Sequence, residues 1–359
     1  MRVLLLLPYA WDTSPSQRFR IEQWAGFLRG SGVELHASTL LTHDQQRLLY
    51  SAASAAKKAA MLTGCIGRRL RDLAIAKRFD AVWLHRAALP VGPAMLERWL
   101  AKTRVPLIFE FDDAIYLTHT SEANRAFKAL KFSQKTAEIC ALSSHIVVGN
   151  GYLADYACQF NRQVTVIPTT IDTDAYQPRS DYPDSSPVTI GWSGSGTTVA
   201  HLRTLDAAVQ RLARQAEVRL NVMGTPSYDL EGVDTFATPW TPERELPELA
   251  KFDVGVMPLP DEEWARGKCA LKALQYMALG IPTVSSPVGV NSEIIRDGEN
   301  GLLASTEDEW VEKLTMLVRD RDLRERLGRA GRRTVEEAYS AEVQAPRVLE
   351  VLHQVCAQR

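Results

Sequence analysis

The chain has 359 residues with 42 Lys+Arg against 43 Asp+Glu, so its formal net charge of −1 gives no global attraction to nucleic acid and confines anion binding to local clusters. That length suits two ordinary domains, each able to bury its own core. Five cysteines, scattered at Cys65, Cys140, Cys158, Cys269 and Cys356 without a CxxC or Cys/His cluster, indicate neither a disulfide framework nor a metal site.

The first apolar run, Val3 to Leu7, stops at Pro8. It is too short for a signal peptide or a bilayer span, so a cytoplasmic protein is expected. Ser14-Pro15-Ser16-Gln17 predicts a capped helix start with Gln17 closing the box, and an amphipathic run follows to Leu28, ended by Gly30-Ser31-Gly32. Strand-like runs at 33–40, 81–84, 106–111, 145–148 and 164–167 alternate with helical stretches, which predicts a parallel, doubly wound α/β domain. Between the second and third runs, Arg47 to Arg78 carries Lys57, Lys58, Arg68, Arg69, Arg71, Lys77 and Arg78 against a lone Asp72. A solvated helix pair explains this, and so does a surface that docks on anionic lipid.

Asp172 to Pro178 reads as the end of the first domain (1–178), and the polar, Pro-rich stretch 179–187 as a linker. A second domain (188–339) opens on a strand that feeds Gly191-Trp192-Ser193-Gly194-Ser195-Gly196-Thr197-Thr198. Gly194 and Gly196 in this turn could let the backbone approach a phosphate, although the turn lacks the GxGxxG spacing and an ordinary tight turn would look the same. Further strands at 218–223, 234–237, 253–257 and 283–285 make this domain α/β as well. Charged amphipathic helices at 307–319 and 321–338 follow, and a last segment, 340–359, is expected to pack back on the first domain.

The stretch from Trp264 to Gly301 has the grammar of loop, helix and strand, with Gly267 before the helix formers, Gly280 after them and Pro282 ahead of a β-branched run. At about 100° per residue, Lys268, Lys272 and Gln275 share one narrow face beside an apolar stripe of Leu271, Leu274, Met277 and Ala278. Lysines in a first helical turn oppose the helix dipole, so the pattern makes sense if a doubly negative group sits over the helix start. Two solvated surface lysines would share that face equally well.

The chain resembles the retaining glycosyltransferases of the large family 4, or group 1. The resemblance rests on Val166-Ile167-Pro168-Thr169-Thr170-Ile171-Asp172 with Tyr176 and Pro178, on Asp253-Val254-Gly255-Val256-Met257-Pro258, on Tyr276 through Val284, and on Val288-Gly289 through Glu293 to Gly301. It implies the GT-B architecture, two Rossmann-like doubly wound domains facing across a cleft, with the donor nucleotide on the C-terminal one. It also implies transfer of a sugar, hexosyl-type, from a nucleotide-diphosphate sugar with retention of configuration, in glycan, glycolipid or polysaccharide biosynthesis. The acceptor could be a saccharide, a lipid-linked group or a small molecule. No cofactor, metal or nucleic acid is implied, and the location would be cytoplasmic or peripheral on the inner face of a membrane.

Two glutamates separated by seven residues are usual in that family, and here their positions hold Gly267 and Gln275. Asp261, Glu262 or Glu263 could stand in for the first, and the amide of Gln275 could still hydrogen-bond a ribose. The family's basic pair after the Gly-rich turn is also missing, and Lys268 and Lys272 look like its replacement, in a Gly-Lys-Cys…Lys…Gln-Tyr-Met-Ala branch. The resemblance therefore assigns Lys268, Lys272 and the amides near Ala270 and Leu271 to the leaving diphosphate, Trp240 to the border of the base and Glu293 to the donor. Asp112 and Asp113 lie at a strand end where the family places polar groups facing the sugar, though either could cap a helix. Arg18 and Arg20 suit an acceptor phosphate, with surface ion pairs an equal explanation. His85 and His119 have no partner visible in the sequence. A sugar-nucleotide epimerase and a non-catalytic sugar-nucleotide-binding protein stay open as rival readings.

Overall fold

The computed structural model describes residues 1–51, 55–117, 132, 134–184 and 186–357. His119 lies outside these residues. The chain divides into two units, Met1–Thr169 with Gln344–Arg359, and Thr170–Val343.

The sheet of the first unit contains β1 (Arg2–Leu7), β2 (Glu34–Thr39), β3 (Ala81–His85), β4 (Leu107–Phe111), β5 (His145–Val148) and β6 (Val164–Val166). They lie in the order β2-β1-β3-β4-β5-β6 with every pairing parallel. A parallel sheet is covered on both faces, which is why its strands read as unbroken apolar runs; Val3, Leu4, Leu5, Leu6 and Leu7 are each 3% exposed or less. Trp24 and Trp83 meet edge to face at 6.2 Å and 67°. The last helix, Ala341–Ala357, places Ala345, Val348, Val351, Leu352 and Val355 in that same core. Strands are added on one side of β1 and then on the other, so the direction of winding switches between β1 and β3.

Three local expectations change. Ser14 precedes the helix but makes no side-chain cap, because Gln17 is buried and its amide instead accepts from Tyr9 N at 3.2 Å and donates to Glu22 at 2.7 Å. A single π-helical turn, Arg18–Glu22, follows before the helix continues as Gln23–Gly30. In the basic stretch, the helix Ala55–Ile75 turns Arg69 inward, where it pairs with buried Asp72 at 3.1 Å and donates to the carbonyls of Leu7, Ser38 and Ala88.

The second unit's sheet contains β7 (Val188–Ser193), β8 (Val218–Met223), β9 (Asp234–Thr238), β10 (Val254–Met257), β11 (Thr283–Ser285) and the two-residue β12 (Leu302–Leu303). Their order is β12-β11-β10-β7-β8-β9, again all parallel, with the switch between β7 and β10. The stretch expected as a linker is held within this unit. Tyr182 is buried and donates to Gly280 O at 2.6 Å, Arg324 donates to Pro183 O at 3.0 Å, and Arg332 donates to Thr173 O at 3.0 Å. Ile171 bridges Ser340, so the division falls after Thr169 rather than after Pro178. Polar, Pro-rich composition does not make a linker when arginines from a distant helix reach its carbonyls.

Candidate functional site

In open α/β sheets, ligands bind outside the carboxyl ends of the strands at the switch point. In the second unit those ends are Ser193-Gly194 after β7 and Pro258-Leu259 after β10. The turn after β7 is shaped by packing. A Cβ on Gly194 would lie 2.1 Å from the Trp192 ring, whereas one on Gly196 would meet open space. Gly194 is therefore fixed by the indole beneath it, and only Gly196 stands clear.

Facing this turn is the helix Leu271–Ala278. It starts after Ala270, a non-glycine residue with φ 54°, which separates it from the short helix Glu263–Arg266. Lys268 thus stands in the connecting loop, and only Lys272 lies in the first helical turn; the single lysine face expected from periodicity is broken at Ala270. Both ammonium groups sit over indoles, Lys272 at 5.5 Å from the Trp192 ring centroid and Lys268 at 5.7 Å from that of Trp264. Tyr276, fully buried, ties the helix to the end of β7, its hydroxyl accepting from Ser193 N at 2.8 Å. Burial pushes that hydroxyl's pKa up. The ring fits because Gly255 leaves room; a Cβ there would lie 2.4 Å from it.

Gln275 is 4% exposed, and its Nε2 donates to Tyr176 Oη at 2.8 Å and Glu245 Oε1 at 3.2 Å. Glu245, equally buried, also accepts from Trp240 Nε1 at 3.1 Å and from Tyr176 Oη at 3.3 Å. Sequence reasoning missed Glu245, although a carboxylate on the apolar face of the helix Pro242–Leu249 is a signal that it has polar partners inside. Glu293 is exposed on the turn Asn291–Ile294, and Asp261 is engaged by Arg266 at 2.7 Å.

In the first unit, Arg20 is not at the surface. It is 0% exposed, and its Nε pairs with Glu110 Oε1 at 2.7 Å while Nη1 donates to Ile167 O. A guanidinium held this way cannot reach an acceptor phosphate, which corrects the expectation for Arg20. Arg18 pairs with Asp12 at 2.7 Å and covers the Phe19 ring. His85 finds the partner its sequence context concealed, since its Nδ1 meets Glu110 Oε2 and its Nε2 lies 3.4 Å from Ser16 Oγ. Burial alone would raise the Glu110 carboxyl, yet Arg20 and His85 together hold its pKa below the ordinary value.

At the adjoining strand ends, Asp112 and Asp113 both grip Arg86, with Nη2 at 2.8 Å from Asp112 Oδ1 and 2.7 Å from Asp113 Oδ2. Burial works against the Arg86 charge, but the two carboxylates outweigh it and raise its pKa. Arg86 itself has φ 64°, a conformation that costs a non-glycine residue about 1–3 kcal/mol. It was missed in the sequence, where nothing but its place directly after a strand marks it. Among the described residues, no group of three His, Cys, Asp or Glu could hold a metal ion.

Residues 187–320 match the family model described as Glycosyl transferases group 1. A curated relative, the D-inositol 3-phosphate glycosyltransferase of Nocardia farcinica, is 34% identical over 106 residues, which is 29% of this chain and 22% of that protein. Among solved structures, sucrose-phosphate synthase from Thermosynechococcus elongatus superposes with a TM-score of 0.73 at 14% identity, covering 100% of both chains. A glycosyltransferase from Rickettsia africae gives 0.67 at 14% identity, covering 99% of this chain and 98% of that one. Anabaena HepE, solved with UDP and glucose, gives 0.63 at 14% identity over 99% of this chain and 100% of its own. The chain therefore has the GT-B fold of two Rossmann-like units, and within the second of them residues 187–320 are similar to group 1 glycosyl transferases.

Proposed function

We propose that this chain is a retaining glycosyltransferase of family 4 that moves a hexosyl group from a nucleoside-diphosphate sugar to an acceptor in glycan, glycolipid or polysaccharide biosynthesis. The observation that carries this reading is the pair of half-buried lysines, Lys268 and Lys272, at the N-terminus of the helix Leu271–Ala278, which has no side-chain cap, at the β7/β10 switch point. Breaking the bond between sugar and diphosphate leaves an electron pair on phosphate, and preorganised positive charge lowers the barrier by stabilising it. Lys268, Lys272 and the amides near Ala270 and Leu271 hold the leaving diphosphate, with Gly196 giving its oxygens room. The nucleoside extends toward Trp240 and the buried Glu245–Gln275 pair, and Glu293 borders the donor sugar. Asp112 and Asp113, fixed by Arg86, are the groups we assign to hydroxyls on the acceptor side, and Arg18, in the first strand-to-helix connection, is kept as an acceptor-side candidate. No cofactor is required beyond the donor substrate.

A thermal-shift panel with UDP, GDP, dTDP and ADP tests the reading. One diphosphate should stabilise the wild type by about 2.7 kcal/mol at one hundred times its Kd. Lys268→Ala/Lys272→Ala should lose that response without losing its fold. If none of the four stabilises the wild type, the donor assignment is wrong. Turnover that changes the sugar without an acceptor would favour an epimerase, and binding without any turnover a scaffold.

We also propose that the helix Ala55–Ile75 docks on anionic lipid, since Ile66 and Leu70, one turn apart, are 42% and 43% exposed beside exposed Arg71. No helix among the described residues is long and apolar enough to cross a membrane. Co-sedimentation should rise with the phosphatidylserine content of vesicles and fall in Ile66→Ser/Leu70→Ser. Equal binding to neutral and anionic vesicles at moderate salt would remove the lipid surface from the account.

A further inference from the structure

Beside the helix Ala55–Ile75 lies a second exposed apolar pair, Met95 and Trp99. The first helix buries Met61, Cys65, Arg69 and Asp72 along one face. At about 100° per residue, Arg68 marks one flank of that face, where its Nη1 donates to Thr39 O at 3.1 Å, and Ile66 and Leu70 fall on the other. The helix Met95–Lys102 packs alongside. It buries Leu96, Glu97 and Leu100, and Arg98 pairs with Glu138 of the helix Lys135–Leu142 on its far side. Met95 and Trp99, one turn apart and 52% and 47% exposed, are thereby left on the flank nearer Ala55–Ile75. The charges sort by sign. On these two helices the acids Asp72 and Glu97 are 0% and 1% exposed, whereas Lys57, Arg71, Arg98 and Lys102 are exposed bases. Four large apolar side chains thus stand among bases with no exposed acid on either helix, which complements an anionic bilayer surface. An indole suits the headgroup level, where its ring can enter the acyl boundary while its N–H stays wet.

We propose that the lipid-binding surface is a single face shared by both helices, with Trp99 and Met95 inserted at the headgroup level beside Ile66 and Leu70. This rests on the lipid reading of the helix Ala55–Ile75 and extends it to a second helix and a defined insertion point. The exposed bases draw the first unit to anionic headgroups, a long-range term that salt weakens. The four apolar side chains then leave water, a short-range term that salt does not screen. The face also has a fixed place relative to the sheet. From Arg86, held by Asp112 and Asp113 at the strand ends, the chain runs through residues 87–94 directly to Met95, so the second helix starts at the carboxyl edge of β3 and β4. Docking through Met95 and Trp99 therefore sets the strand ends assigned to the acceptor close to the headgroup layer, whereas docking through Ile66 and Leu70 alone would leave the Trp99 ring in water.

The test uses the full chain and vesicles of phosphatidylcholine with about 30% phosphatidylserine, part of the phosphatidylcholine carrying brominated acyl chains that quench a tryptophan inserted among them. Bound wild type should be quenched, and Trp99→Phe, which keeps an apolar ring, should still bind but lose most of that quenching. Met95→Ser/Trp99→Ser should lower the vesicle partition coefficient by about tenfold, with the thermal midpoint in the absence of vesicles unchanged. Equal quenching of wild type and Trp99→Phe, or an unchanged partition coefficient in the double variant, overturns the shared face and leaves lipid docking to the helix Ala55–Ile75 alone. A wild type that ignores these vesicles overturns both. If it instead forms a concentration-dependent dimer that Met95→Ser/Trp99→Ser abolishes, the face is a contact between copies of the chain and the lipid assignment falls.

Discussion

Replacing Glu110 by alanine is expected to destabilise the first unit by about 3–5 kcal/mol at neutral pH, because Arg20 keeps its charge at 0% exposure with no counter-ion. The loss should exceed that of an apolar deletion at the same depth, since His85 also loses the partner of its Nδ1. Removing both charges, as Arg20→Met/Glu110→Leu, should recover much of the loss, as paired apolar replacement of a buried ion pair does elsewhere. Hydrogen exchange of the amides in β1, β3 and β4 reads this unit by itself, which matters because a chain of two units need not unfold in one step. The pH dependence has a definite sign. A carboxyl whose folded pKa is depressed adds stability that is complete above its unfolded value, about 4.3, and fades as pH falls through the lower folded value. The gap between wild type and Glu110→Gln should therefore close on acidification below about 4. Protection unchanged to within 1 kcal/mol at neutral pH would mean that Glu110 is not an ionised partner of Arg20.

The architecture was legible because the strands of a doubly covered parallel sheet must be apolar throughout, and Val3 to Leu7 or Asp253 to Met257 stand out between turn residues. The domain boundary was not, since it depends on Arg332 and Arg324 reaching carbonyls more than a hundred residues earlier. The same limit hid the Arg20–Glu110–His85 cluster. Its members are 90 and 25 residues apart, and they meet because β3 and β4 pair in a register that sets His85 beside Glu110. One signal was available, as Phe109-Glu110-Phe111 puts a carboxylate inside a strand with no wet face, and such a group must have a partner. Periodicity misled at Lys268, because an alanine at φ 54° gives no warning of a helix break. Both lysines nonetheless lie beside the start of the helix Leu271–Ala278, each with its ammonium over an indole.

Gln275→Glu should be strongly destabilising above neutral pH, which looks paradoxical at a position where the resembled family carries a glutamate. The structure supplies the reason. Glu245 is already the carboxylate of this cluster, and Gln275 Nε2 is one of the donors that satisfy it. A second carboxylate at 275 would replace that donor with a like charge, both residues being 4% exposed. Two such groups cannot both ionise cheaply, so one should hold a proton to well above its ordinary pKa. A raised folded pKa contributes stability that is full below the unfolded value and lost as pH rises, so the variant should approach wild type near pH 4 and fall away by about 3 kcal/mol or more at pH 8. The exchange Glu245→Gln/Gln275→Glu keeps one carboxylate and one amide. Tyr176 can then reverse its hydrogen bonds, accepting from the amide at 245 and donating to the carboxylate at 275, while Trp240 donates to the amide oxygen. Thermal unfolding across pH should show the double variant recovering most of the loss, a coupling that independent sites would not give. If the single and double variants unfold alike at every pH, Glu245 and Gln275 are not one hydrogen-bonded unit. Recovery of the fold would then pose a sharper question, whether nucleoside-diphosphate binding returns with it. A site that reads only the presence of one carboxylate should bind again, whereas a site that needs the charge on the helix Pro242–Leu249 should fold and stay empty.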